Sequence, residues 1–62
     1  MNNEDLEVID AMKHYGGSFI QALARAAEVA DSENLLNIKR AWPQEWAKYK
    51  MFAEDEKKAA KI

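Results

Sequence analysis

The chain has 62 residues, of which 48% are hydrophobic and 32% charged, with a formal net charge of −2 and no cysteine. So short a chain forms one domain at most, and without cysteine it has neither disulfides nor thiolate zinc sites. Its mild acidity counts against a non-specific nucleic-acid binder, and its apolar content with a single proline counts against a disordered tail.

Ala, Leu, Glu and Lys dominate and alternating strand formers are absent, so the fold class is all-α. The expectation is a compact three- or four-helix domain over 1–62. The opening Met-Asn-Asn-Glu-Asp is acidic, the reverse of a signal peptide's basic start, and no apolar run approaches the ~20 residues of a membrane span. A soluble, cytoplasmic protein is expected.

The first helix starts after Asn2 or Asn3, either of which can cap it. Val8, Met12 and Tyr15 recur at helical spacing with Ile9 beside them, while Glu4, Glu7 and Asp10 point away. Gly16 ends this helix, in the left-handed conformation that glycine takes readily past a C-terminus. Ser18 then caps a second helix, with Gln21 completing a capping box. From Phe19 to Ala30 that helix leaves only a narrow polar strip of Gln21, Arg25 and Glu28, so residues near 18–30 form the expected central element. It is almost too apolar for so few neighbours to cover.

Asp31 or Ser32 caps a third helix to about Ala41, with Leu35, Ile38 and Trp42 on one face and Leu36 off it beside Lys39 and Arg40. Pro43 disfavours helical geometry at Trp42 and suits the first turn of a fourth helix. Trp46, Tyr49 and Ala53 form its inward stripe, Phe52 lies on the flank, and Met51 lies opposite. Beyond Ala53 the apolar pattern stops. Glu54 can pair with Lys58, and residues 55–62 read as a solvated tail with room to fray.

No constellation of catalytic groups emerges. His14 is the only histidine, with carboxylates alone as possible co-ligands, and reads as a surface residue at a helix end. Gly16-Gly17-Ser18 lacks the preceding strand, the lysine and the spacing of a phosphate loop. Neither an enzymatic activity nor a cofactor or metal is expected. Glu4, Glu7 and Asp10, with Asp5 in the same run, offer a docking surface for a basic partner. Leu36, Met51 and Phe52 are the apolar candidates for a protein interface, a homodimer included. The alternative is a helix-turn-helix-like DNA binder over 18–42, in which Lys39 and Arg40 reach phosphates; Glu28 stands where a turn glycine usually sits.

Tyr15-Gly16-Gly17-Ser18-Phe19, Ala22-Leu23-Ala24, Ala30-Asp31, Asn34, Ala41-Trp42-Pro43, Trp46 and Tyr49 form a pattern that resembles small helical open reading frames of bacteriophages and prophages. Where such proteins have phenylalanine before the proline, this chain has Trp42. The resemblance covers Tyr15 to Tyr49 and implies a setting, the cytoplasm of a bacterium carrying a phage, but transfers no activity or catalytic residue. With it, the expected function is that of a small non-catalytic accessory protein binding another protein of host or phage. Inhibition of a host enzyme or defence complex would need nothing more.

Overall fold

A computed structural model describes residues 2–60. Four helices follow one another: α1 (Asn3–Tyr15), α2 (Ser18–Val29), α3 (Ser32–Ala41) and α4 (Pro43–Ala60). No strand occurs among the described residues, in line with the all-α expectation.

Each boundary has a local cause. The Asn2 side chain accepts a hydrogen bond from the Asp5 amide at 2.8 Å, satisfying one of the free N–H groups at the start of α1. Asp31 does the same for α3, accepting from the Asn34 amide at 2.8 Å. Pro43 separates α3 from α4 with no loop between them. Trp42, at φ −129° and ψ 60°, leaves the helical region as residues before proline do. Its amide donates back to the Ile38 carbonyl, and its own carbonyl accepts from the Trp46 amide at 3.0 Å, so one residue closes one helix and opens the next.

The α1–α2 junction departs from expectation in two ways. Gly16 is not left-handed: φ −82° and ψ 155° are extended, and no described residue has a positive φ. Glycine stands here for space, because a Cβ at this position would lie 2.3 Å from Ile20 Cγ2 and 2.5 Å from the Met12 carbonyl oxygen. Ser18 is not the cap either. Gly17 takes that place without a side-chain hydrogen bond, and the Gln21 side chain donates to the Gly16 carbonyl at 2.9 Å instead of capping the helix. Gln21 thereby holds the turn from the far side.

The core is organised around α1 more than around α2. Ile9, Met12 and Val8 are the largest fully buried side chains, and all three belong to α1. With Asp5 and Ala11 they span an arc of about 160° at 100° per residue, far wider than a one-sided surface helix buries. The reason is position. α1 lies between α2 and α4, which pack on it from two sides, and no Cα of α4 comes within 8 Å of one in α2. Leu23, Ala24 and Ala27 close one side, while Tyr49 and Ala53 close the other. Trp46 packs partly buried against this core, as the stripe on α4 predicted, and Phe52 packs there from the flank.

α3 is attached more loosely. It touches α2 and α4 along short stretches, and none of its Cα atoms lies within 8 Å of one in α1. Its tie to α1 is made by side chains: Lys39 Nζ sits 2.8 Å from Asp5 Oδ1 and 5.3 Å from the centre of the Trp46 ring. Asp5 is only 7% exposed, and this contact neutralises a carboxylate that would otherwise be expensive to bury.

Candidate functional site

The acidic residues of α1 do not stand free. Glu4 Oε1 lies 2.7 Å from Lys50 Nζ, and Glu7 Oε1 lies 2.8 Å from Lys57 Nζ, both reaching across to α4. This corrects the expectation that Glu4 and Glu7 point away from the rest of the chain. Of that set Asp10 is exposed and has no ion-pair partner among the described residues, beside a shallow groove that Glu7, Ala53, Glu56 and Lys57 also line. The hydrogen bond from Lys50 and its charge hold the Glu4 carboxyl below its usual 4.5, and the same pairing raises the Lys50 ammonium above 10.5.

α4 follows the same logic to its end. Tyr15 Oη donates to Glu56 Oε1 at 2.6 Å, and because only the protonated phenol can donate that bond, it stays protonated beyond its usual 10.0. The Tyr15 ring meets Phe52 edge-on at 5.5 Å, and Phe52 meets Tyr49 at 5.4 Å. Residues 55–60 are helical and residues 55–59 exposed, as a solvated tail would be, with Glu56 and Lys57 also joining them to α1. Residues 61 and 62 of the expected tail lie outside the described residues. The expected Glu54–Lys58 pair is not among the ion pairs of the described residues, where Lys57 to Glu7 is the link of this turn.

The apolar candidates separate. Leu36 is 45% exposed on α3, lining a groove with Asn2, Asp5 and Lys39, and Met51 is 63% exposed on α4. Phe52 is half-buried and stacked between two tyrosines, so it belongs mainly to the core. His14 is exposed and packs edge-on to Tyr15 at 4.7 Å. Among the described residues no three His, Asp or Glu side chains are placed to share a metal ion. No helix of the described residues is long and apolar enough to cross a membrane.

Lys39 and Arg40, the phosphate-contact candidates, also part company. Lys39 is half-buried and occupied by Asp5 and Trp46, whereas Arg40 is exposed and in no ion pair among the described residues.

A further apolar surface lies open between α2 and α3. A groove of about 480 Å³ has Ala26 and Val29 of α2, with Ala30 just past its end, on one wall. Ile38, Ala41 and Trp42 form the other, with Asn34 and Asn37 as its polar edge. Val29, at 84%, is the most exposed large apolar side chain among the described residues. Phe19, 58% exposed, meets the Trp42 ring at 5.9 Å and extends the same surface toward the start of α2.

The groove has a clear origin. Apolar residues occupy about 220° of the α2 circumference at 100° per residue, but α1 and the edge of α3 cover only about 120° of it. Phe19, Ala22, Ala26 and Val29 form the uncovered remainder. Sequence reasoning did not name these as site residues, although the excess apolar arc of the second helix was the signal for them.

Protein families, curated proteins and solved structures offer no match to this chain. The site's own geometry carries the functional reading.

Proposed function

We propose that this chain is a non-catalytic protein-binding module whose partner seats in the groove between α2 and α3. The observation that carries the reading is the uncovered apolar strip of α2. Covering a valine as exposed as Val29 is worth about 1.5 kcal/mol or more, and Phe19 stands exposed in the same row with Ala22 and Ala26 between them. Trp42, half-buried at the end of the groove, has the rigid aromatic character of an interface anchor. The resemblance of Tyr15–Tyr49 to small phage reading frames supports a bacterial cytoplasm as the setting and a host or phage protein as the partner. An accessory or inhibitory effect on a host enzyme or defence complex follows from occupying a surface, which is all that this reading asks of the chain.

The test uses Val29→Glu and Ala26→Glu, exposed helix positions where glutamate leaves the fold and its melting temperature nearly unchanged. Affinity capture from a bacterial lysate, read by mass spectrometry, is expected to recover one stoichiometric protein with the parent chain and to lose it with either variant. Recovery of the same protein by both variants would exclude the groove. Loss on mutating Leu36 or Met51 instead would move the interface to those residues.

A further inference from the structure

Resting on this protein-binding reading, we infer that the occupant of the α2–α3 groove is an amphipathic helix of the partner, flanked by carboxylates. The shape comes first. Phe19, Ala22, Ala26 and Val29 follow a 3-4-3 spacing, that of a coiled-coil seam, and run about 15 Å along α2. Two alanines in the middle let a second helix axis approach closely, while Phe19 and Val29 close the ends. The facing wall is itself a helix, so an incoming helix would complete a three-helix layer, inserting side chains at i, i+3 or i+4 and i+7. Apart from Asn34 and Asn37, the groove is lined by Ala, Val, Ile and Trp side chains, which suits an apolar seam.

Charge then selects the partner. The chain has two arginines, Arg25 and Arg40, one on each helix of the groove. Both are exposed and neither joins an ion pair among the described residues. By contrast, Lys13, Lys39, Lys50 and Lys57 are each paired in holding the helices together. Arg25 sits at the outer edge of the uncovered strip of α2, next to Ala22 and Val29 on the helical wheel. Arg40 lies one turn beyond Asn37 on α3. Glu33 is the carboxylate on that same side of α3, about 10 Å along the axis from Arg40. Asp31, in the turn between the two helices, has its carboxylate engaged in capping α3 through the Asn34 amide. With Asp31 so engaged, Arg25 and Arg40 outnumber Glu33, the carboxylate left free along the two helical walls. Arginine suits such a rim, because its planar fork matches carboxylates in pairs.

The same arginine argues against a second copy of the chain. Antiparallel pairing of two α2 strips centres on Ala24, which puts the two Arg25 side chains on the same flank, only about 3 Å apart along the axis. Like charges so placed oppose the pairing.

Two synthetic 14-residue helical peptides with the same leucine seam, one flanked by glutamates and one by lysines, test the inference by ¹⁵N chemical-shift titration. The glutamate peptide is expected to bind at least tenfold tighter and to shift the amides of Ala26, Val29 and Ala41. Arg25→Glu with Arg40→Glu is expected to reverse the preference, and Val29→Glu to abolish binding of both peptides. Equal binding of the two peptides in the groove would overturn the acidic flank and leave the protein-binding reading standing. Binding of neither would overturn the helical occupant, with the groove itself still decided by the capture experiment. A concentration-dependent dimer in sedimentation that Val29→Glu dissolves would make the occupant a second copy and overturn the inference.

Discussion

Replacing Gly16 by alanine is expected to remove much of the stability of this domain, although the backbone there is ordinary extended chain. The added Cβ would sit 2.3 Å from Ile20 Cγ2, 2.6 Å from Ile20 Cβ and 2.5 Å from the Met12 carbonyl oxygen. Normal contact is roughly 3.5–4.0 Å, so each approach is short by about 1 Å or more. Neither neighbour yields easily. Ile20 is β-branched and stiff at χ1, and the Met12 oxygen accepts the Gly16 amide at 2.9 Å to close α1. Overpacking of this kind costs about 1–3 kcal/mol, and stretching the closing hydrogen bond adds about 0.5–1.5 kcal/mol. A loss of roughly 2–4 kcal/mol results, against a total on the order of 3–9 kcal/mol for a chain of this length. At about 4–8 °C per kcal/mol, the melting temperature falls by at least ~8 °C. Thermal and urea unfolding followed by circular dichroism at 222 nm measures it. Gly17→Ala is the control: its Cβ meets nothing within 4 Å, and the change should stay within about 1 kcal/mol. A Gly16→Ala protein as stable as the control would refute the steric argument.

Asp5→Ala leaves Lys39 beside Trp46 without its counter-charge and is expected to cost about 1–3 kcal/mol, reduced from the fully buried range because Lys39 keeps a third of its side chain in water. A double-mutant cycle with Lys39→Met should recover part of that loss, and strict additivity would mean that the two do not interact. Gly17→Ser supplies the missing cap of α2 and should raise stability by a few tenths to about 1 kcal/mol in urea titration; a decrease would show that the open position is not free to cap. Stability should be nearly flat from about pH 5 to 9.5 and fall on both sides. On the acid side Glu4 has a lowered folded pKa, so its contribution is present above 4.5 and disappears as pH drops through the folded value. On the alkaline side Tyr15 and Lys50 have raised folded pKa values, so their contributions are complete below 10.0 and 10.5 and are lost as pH climbs through the folded values. All three groups are exposed and each effect is small, so site-resolved NMR titration is the sharper measurement. Lys50→Met should return Glu4 to its usual value, and Glu56→Gln should release Tyr15.

Much of the local architecture was legible in the residues. Asn2 and Asp31, each one of two neighbouring candidates, cap the first and third helices, Pro43 divides two helices, and the Trp46–Tyr49–Ala53 stripe turns inward. These are short-range matters, decided by hydrogen bonds within four residues or by periodicity along one helix. The Gly16–Ser18 junction was misread for a reason of the same scale. A glycine can be required by torsion or by room, and only the neighbouring Ile20 and Met12 show that here it is room.

The candidate site was less legible. Leu36 and Met51 do stand exposed, but Glu4, Glu7 and Lys39 are drawn into ion pairs with residues 34 to 50 positions away in sequence, which no local pattern anticipates. The groove lay half-visible in the excess apolar surface of the second helix.

By itself, then, the sequence determined the helices, their ends and the apolar arc that each presents, because those follow from side-chain chemistry within a few turns. The tertiary structure alone decided which arcs are covered. It set α1 at the centre, packed along α2 and α4, buried Asp5 against Lys39, and left Phe19, Ala22, Ala26 and Val29 uncovered. The physical reason is that burial belongs to pairs of surfaces: a helix states what it can bury, and only its neighbours determine what is left open.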